Sequence, residues 1–175
     1  EHEDPDDRAT AELRRRVPYV VQGSALLDSA SLVANVALPL TRGLGLGAEE
    51  AEARAREALR RVGLEELSDR MPQEVGPGSR KRASIARALA LAPECVLYDE
   101  PTTGLDPAAA RTVDQAIRGA ADAGATALVV SHDLGSIGRI ADRVAVLDGG
   151  TIAFFGTGAE FFGRREDLPA LRRFF

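Results

Sequence analysis

Two series of apolar residues near the start of the chain recur at the helical spacing of three to four positions. They are Leu32, Val33, Val36 and Leu40, and then Ala51, Ala55, Ala58, Leu59 and Val62. This spacing predicts two helices with one apolar face each, the second ending at Gly63. Unbroken apolar runs at residues 17–21, 95–98 and 127–130 are short enough to be strands. We also predict a short helix at residues 9–16 and a glycine-rich connector at residues 41–47.

Helix starts and turns predict the order of elements in the second half. Asp106 followed by Pro107 suits the start of a helix, because Asp is a good N-cap and Pro fits the first helical position. That helix closes at Gly124, and a further short helix is expected at residues 137–141. Two strands, at 143–147 and 151–155, are joined at an Asp-Gly-Gly turn. A last apolar helical stretch contains Phe161, Phe162, Leu168, Leu171, Phe174 and Phe175.

Length and composition favour one globular domain. A chain of 175 residues can bury one sizeable core. The formal charge of −5, from 22 basic and 27 acidic residues, argues against a dedicated nucleic-acid binder, which usually shows a basic excess. No apolar run approaches the roughly 20 residues that span a membrane. The acidic residues 1–7 lack the apolar core of a signal peptide and are expected to be disordered. The single Cys95 fits a reduced, cytoplasmic setting.

The candidate chemistry lies in residues 72–107. A turn, Gly76-Pro77-Gly78, leads into a helix, and the strand at 95–98 then delivers Asp99 and Glu100 at its C-terminal end. Ligands of open α/β sheets bind outside these strand ends. Two adjacent carboxylates there suit magnesium-nucleotide chemistry, in which Asp99 faces the metal and Glu100 orients and deprotonates a water. An ordinary surface pair of carboxylates is the alternative.

Five short motifs, taken in order, resemble those of ATP-binding cassette (ABC) ATPases. Gln22 stands where the Q-loop glutamine belongs, and residues 75–79 (V-G-P-G-S) stand at the signature L-S-G-G-Q/M. Residues 96–100 (V-L-Y-D-E) match Walker B, 104–106 (G-L-D) the D-loop and 129–133 (V-V-S-H-D) the H-loop. The resemblance covers nearly the whole chain, which is therefore identified as a member of this family.

The resemblance implies an α/β fold, the P-loop NTPase (RecA-like) core of an ABC ATPase with an inserted α-helical subdomain. We expect a single domain over residues 1–175, with the helical subdomain at about 23–80 and the RecA-like core at 8–22 and 81–175. The sequence contains no G-x-x-x-x-G-K-[ST] phosphate loop, and its only lysine is Lys81. In the family that loop precedes the Q-loop, so we expect the chain to be N-terminally truncated, without its first strands and Walker A.

The resemblance also implies ATP and Mg²⁺ as cofactors and assigns roles. Asp99 and Gln22 would hold Mg²⁺, Glu100 would be the general base, and His132 would contact the γ-phosphate and fix the attacking water. In a head-to-tail dimer, the signature of one subunit faces the ATP of the other, and Asp106 would couple the two sites. The implied nucleotide-binding residues are Gln22, Asp99, Gly76, Gly78, Ser79 and Asp106.

The signature departs from the family pattern at two donors. Gly76 replaces the Ser whose hydroxyl would reach the γ-phosphate, and Pro77 replaces a Gly and removes one N–H. Losing one donor of this kind typically costs about 10²–10³ in rate. We therefore expect slow hydrolysis or an asymmetric pair, and no activity from this chain alone because Walker A is absent.

Residues 22–29, 35–40 (N-V-A-L-P-L) and 80–82 (R-K-R) most resemble the ATPases of Mla/Mce-type phospholipid transport systems. The predicted function is therefore ATP hydrolysis that energises transport of phospholipids or other lipids across the cell envelope. The predicted partners are an integral-membrane permease, docked near residues 32–40, and a second ABC ATPase subunit. The predicted location is peripheral, at the cytoplasmic face of the inner membrane.

Three alternatives remain. The chain could serve a methionine-importer-like or a lipoprotein-release ABC system, since these share the N-V-A-x-P-L piece. It could be a non-catalytic cassette that acts as a scaffold or regulatory partner, as the degraded signature allows. A soluble ABC ATPase of DNA repair or translation is disfavoured by the net charge and by the lack of a coiled-coil insert or a second cassette.

Overall fold

A computed structural model of the chain describes residues 5–164. The chain divides into two compact units, one ending at Val130 and the other beginning at Ser131. The expected division into a RecA-like core and a helical subdomain stays a prediction.

The first unit contains a three-stranded parallel sheet and five α-helices. The strands are β1 (Tyr19–Val20), β2 (Cys95–Asp99) and β3 (Thr126–Val130), in the order β1-β2-β3. The helices are α1 (Pro5–Arg16), α2 (Leu32–Leu44), α3 (Ala48–Arg61), α4 (Pro77–Leu89) and α5 (Pro107–Asp122). Short 3₁₀ turns at Glu65–Leu67 and Pro72–Glu74 connect α3 to α4. Parallel neighbours need crossover connections, which α2, α3 and α4 supply between β1 and β2 and α5 supplies between β2 and β3.

Helix α1 begins earlier than the sequence suggested. The helix starts at Pro5, so the prediction of disorder is wrong for residues 5–7, and residues 1–4 lie outside the described part. Pro is compatible with a first helical turn because that turn needs no backbone donor.

Helix α2 buries the apolar stripe that the sequence predicted. Its N-cap is Ser31, whose hydroxyl accepts from the N–H of Ala34 at 3.3 Å. Leu32, Val36 and Leu40 are fully buried and form core, and docking of a permease near residues 32–40 stays a prediction. The helix continues past Pro39 to Leu44, where a left-handed Gly45 ends it. The predicted connector at 41–47 is therefore wrong in its first half.

One face of the parallel sheet is open among the described residues. Val96 and Tyr98 of β2 are buried, whereas Leu128 and Val130 of β3 are 59% and 60% exposed. The sequence predicted a buried strand at 127–130, and that prediction is wrong for these two side chains. Alternate residues of a strand point to opposite faces, and only one face of β3 is partly covered by the elements described.

The second unit consists of α6 (Leu134–Ile140), β4 (Arg143–Asp148), β5 (Thr151–Thr157) and α7 (Gly158–Gly163). Strands β4 and β5 form an antiparallel hairpin, as predicted, and the two glycines of its turn have positive φ. Its core contains Val144, Val146, Phe154 and Phe161. The predicted helical residues Leu168, Leu171, Phe174 and Phe175 lie outside the described residues.

Among residues 5–164, we find no helix whose length and hydropathy would let it cross a bilayer.

Candidate functional site

The predicted metal-binding residues leave the sheet at the same edge. Strands β1 and β2 run parallel, with Val20 opposite Tyr98. Gln22 therefore leaves β1 level with the point at which Asp99 and Glu100 end β2. Parallel strands place such C-terminal residues together, at the edge where ligands of open sheets bind.

Glu100 has an unusual backbone conformation. Its φ is +45°, which a non-glycine residue rarely adopts, and its N–H donates to the carbonyl oxygen of Val130 at 2.9 Å. Its carboxylate Oε2 accepts a hydrogen bond from Thr103 Oγ1 at 2.8 Å. Backbone strain of this kind tends to collect at functional sites, because the surrounding structure must hold it in place. This conformation was not predicted from the sequence.

Asp99 accepts a hydrogen bond from Tyr19, a contact that the sequence interpretation missed. The Tyr19 hydroxyl donates to Asp99 Oδ2 at 2.6 Å, and this bond raises the pKa of the phenol. Since Tyr19 pairs with Leu97, strand alternation puts Tyr19 and Asp99 on one face of neighbouring strands. That pattern could have identified the contact once the strand pairing was known.

Lys81 lies beneath the residues that follow β1, which we name the Q-loop segment (residues 21–25). It is 3% exposed, and its ammonium donates to the backbone oxygens of Val21, at 3.1 Å, and of Gln22. Burial lowers the pKa of Lys81, and the nearby charge of Asp99 opposes that shift. The sequence interpretation gave Lys81 no role.

The signature-like turn forms the N-terminus of α4. Gly76 is the N-cap and provides no side-chain cap, and Pro77 takes the first helical position. Among the described residues, no hydrogen-bond acceptor meets the N–H of Gly78 or of Ser79. A Cβ added at Gly78 would lie 2.9 Å from the Cβ of Ala109, so the start of α4 packs directly against the start of α5.

Asp106 is the N-cap of α5, as the sequence predicted. Its Oδ1 accepts from the N–H groups of Ala108 and Ala109, each at 2.9 Å. These two backbone hydrogen bonds, first that of Ala109, lower the pKa of Asp106. The role implied by the resemblance, coupling two sites across a dimer, stays a prediction.

His132 belongs to the second unit, and its side chain is exposed. The next residue, Asp133, caps α6 by accepting from the N–H groups of Gly135 and Ser136. The expected contact of His132 with a γ-phosphate stays a prediction.

The donor atoms fit Mg²⁺ bound with a nucleotide. In the described part of the chain no group of three or more His, Cys, Asp or Glu side chains could hold a metal. Nucleotide-bound Mg²⁺ does not need one, since it takes one or two carboxylates and fills its shell with phosphate oxygens and waters. The Asp99 carboxylate keeps one oxygen that Tyr19 does not use, and Gln22 adds an amide oxygen.

Comparison with known families decides the assignment. The family model described as "ABC transporter" matches residues 1–103. The chain belongs to the ABC transporter family. The methionine import ATP-binding protein MetN of Cereibacter sphaeroides is 39% identical over 170 residues, which is 97% of this chain and 48% of that protein. A putative ABC transporter ATP-binding protein of Pyrococcus abyssi is 40% identical over 157 residues, which is 89% of this chain and 60% of that protein.

Two solved ABC proteins have the same fold. One is an ATP-binding cassette whose dimer, bound to ADP and inorganic phosphate, is in a post-hydrolysis state (TM-score 0.76, 29% identity, 89% of this chain and 68% of that one). The other is CbiO1 of Clostridium perfringens, part of the CbiONQ ABC transporter complex (TM-score 0.82, 28% identity, 94% and 66%). The predicted α/β fold of ABC ATPases is confirmed. The chain spans about half the length of the MetN proteins it matches.

Proposed function

We propose that this chain is the part of an ABC ATPase that carries the catalytic carboxylates and the signature, and that it energises a transporter. Asp99 and Gln22 hold Mg²⁺, and Glu100 acts as general base toward the water that attacks the γ-phosphate. His132 contacts that phosphate. The observation that carries the proposal is the carboxylate pair at the end of β2, where Glu100 is held at φ +45° and braced by Thr103.

The geometry supports these roles step by step. ATP hydrolysis needs little covalent chemistry from a protein, but it needs an oriented water and charge stabilisation at the phosphate. A base performs this task when its carboxylate cannot rotate freely, and the hydrogen bond from Thr103 restricts Glu100. Asp99, beside Glu100, would hold Mg²⁺, which would neutralise the charge that develops on the phosphates.

The second ATPase subunit in the proposal supplies the opposite half of each nucleotide site. Gly76, Gly78 and Ser79 face the ATP of that subunit, and Asp106 lies beside them at the start of α5. The support is that Gly78 and Ala109 bring the two helix starts into contact. Helix N-termini attract phosphate because their N–H groups and dipoles point outward.

For the cargo, we propose methionine or a similar amino acid. The support is that several relatives, from Cereibacter, Xanthomonas and Rhodococcus species, are named as methionine import proteins. The lipid cargo that the sequence suggested has no support among those relatives. The transporter's permease places the chain at the membrane surface. In vesicles that contain the permease, we expect methionine to stimulate ATP hydrolysis, and we expect a change of phospholipid not to do so.

A non-catalytic scaffold is the second candidate. The observation in its favour is the N-terminus of α4, where Gly76 offers no hydroxyl and Pro77 no N–H. The experiment below separates the two functions.

ATP hydrolysis tests the proposal. The chain contains no phosphate-loop motif, so the assay uses the chain joined behind an ABC ATPase segment that carries one. The unjoined chain serves as the blank, from which we expect no measurable phosphate release. Glu100→Gln should lower turnover of the joined protein by about 10²–10⁴, while the same change at the exposed Glu66 should leave it unchanged. A joined protein that binds ATP without turning it over would establish the scaffold instead.

A further inference from the structure

Two cations of helix α4 hold the backbone of the Q-loop segment. The Lys81 ammonium donates to the carbonyl oxygens of Val21 and Gln22, and Arg87 Nη1 donates to that of Ala25 at 2.7 Å. Hydrogen bonds from charged donors are stronger than neutral ones. The two side chains therefore fix both ends of the segment to the same helix.

The burial of Lys81 needs an explanation that packing does not give. Lysine is almost never fully buried, since removing its charge from water is costly. Here the ammonium is enclosed with two neutral carbonyl oxygens, and the negative charge of Asp99 attracts it. An apolar side chain would fill this space without that cost. The arrangement makes sense if the position of the Q-loop segment itself is what the lysine secures.

The far end of the segment is also held in an uncommon conformation. Ala25 has a φ of +46°, which residues with a Cβ rarely adopt. Such a conformation persists only where surrounding contacts impose it. The hydrogen bond from Arg87 to the Ala25 carbonyl is one such contact, and burial lowers the pKa of this guanidinium.

We propose that Lys81 is a positioning residue that ties the Q-loop segment to helix α4. The position of Gln22 beside Asp99 then depends on the position of α4, the helix that begins at the signature-like turn. Arg87 fixes the other end of the Q-loop segment to the same helix. A phosphate that engages the start of α4 thereby acts on the magnesium side of the site. The part of this inference that concerns magnesium rests on the proposed function, whereas the tie itself does not.

Backbone ¹⁵N relaxation in the intact chain tests the tie, because it reports the mobility of amides whether or not they have a hydrogen-bond acceptor. Lys81→Met removes the donors and keeps most of the volume, and Lys81→Arg keeps charge and N–H groups. We expect the ¹⁵N order parameters of the amides of residues 22–27 to fall from about 0.85, typical of a rigid backbone, to below about 0.6 in the Met variant, and to fall less in the Arg variant. The matched control is Arg82→Met, because Arg82 holds the carbonyls of Val62 and Gly63, away from the Q-loop segment. The proposal is wrong if the Met variant folds and its order parameters at residues 22–27 equal those of the control.

A second measurement does not depend on a variant that folds. Lys81 is the only lysine, so a chain grown with ¹³C,¹⁵N-lysine gives one set of lysine signals. An immobilised side chain gives two separate ε-proton shifts and a visible ammonium, whereas a solvated lysine gives averaged signals. Averaged signals in the wild-type chain would overturn the proposal.

Manganese separates the tie from the proposed metal site. Mn²⁺ with ATP, used as the probe for Mg²⁺ with ATP in the joined protein, should broaden the Lys81 signals because the ammonium contacts the Gln22 backbone. Sharp signals together with the expected order parameters would refute the magnesium role and leave the tie intact. Broadened signals with unchanged order parameters in Lys81→Met would refute the tie and support the metal site.

Discussion

Helices α4 and α5 begin side by side, yet their N-termini are capped differently. Each has proline at its first position, Pro77 in α4 and Pro107 in α5. In α5 the N-cap is Asp106, whose carboxylate accepts from two backbone N–H groups. In α4 the N-cap is Gly76, which has no side chain to accept anything. The α5 terminus is therefore closed by the chain itself, and the α4 terminus is open among the described residues.

This difference in capping determines where an external anion can bind. A helix N-terminus leaves N–H groups that need partners, and a cap satisfies them internally. A capped terminus with a carboxylate repels phosphate, while an uncapped one attracts it. The signature-like turn thus keeps part of the family's phosphate-binding device even though two of its donors are missing.

The largest effect on stability is expected where the starts of α4 and α5 are in contact. Gly78→Val puts a branched side chain against the Cβ of Ala109, which an added Cβ alone would approach to 2.9 Å. Overpacking of this kind costs about 1–3 kcal/mol, and urea unfolding measures it. The control is Gly119→Val, a helical glycine of α5 with no atom near its added Cβ. Equal unfolding midpoints for the two variants would mean that the two helix starts are not in close contact.

Restoring the missing donors should bring α4 closer to the family pattern. In the joined protein described above, Gly76→Ser together with Pro77→Gly returns a hydroxyl and an N–H to the turn. We expect turnover to rise about tenfold or more, by the usual worth of such donors. The quantity to measure is kcat with the partner ATPase subunit present. An unchanged kcat would show that the turn at residues 75–79 does not face the nucleotide.

Removing the α5 cap should have the smallest effect, and it should depend on pH. The pKa of Asp106 is lowered below its ordinary value of 3.8, so its stabilisation is present above that value and is lost as pH falls through the lowered pKa. Asp106→Ala should lower the thermal midpoint near neutral pH, by less than Gly78→Val does. Asp106→Asn should approach wild type as the pH falls, because both caps are then uncharged. A gap between wild type and Asn that persists in acid would contradict the capping account.

The sequence predicted local features well, because local residues determine them. A cap or a turn depends on residues that are neighbours in sequence. The sequence therefore predicted the helix start at Asp106-Pro107, the hairpin turn at residues 148–150 and the end of α3 before Gly63. The strand that carries Asp99 was also predicted correctly.

What could not be predicted depends on residues far apart in the chain. Lys81 meets Gln22 across 59 positions and Tyr19 meets Asp99 across 80, and no spacing rule connects them. The positive φ of Glu100 depends on its place between β2 and the end of β3. The prediction that Leu128 is buried failed for a related reason, because an apolar sequence does not show which face of the strand other elements cover.

Helix α4 leaves its first N–H groups open to a phosphate, whereas α5 caps its own first N–H groups with Asp106. A ¹⁵N-labelled chain titrated with inorganic phosphate, against chloride at matched ionic strength, tests it directly. The account predicts that the amide signals of Gly78 and Ser79 move and that those of Ala108 and Ala109 stay. Movement of the α5 amides alone, or of neither pair, would contradict it.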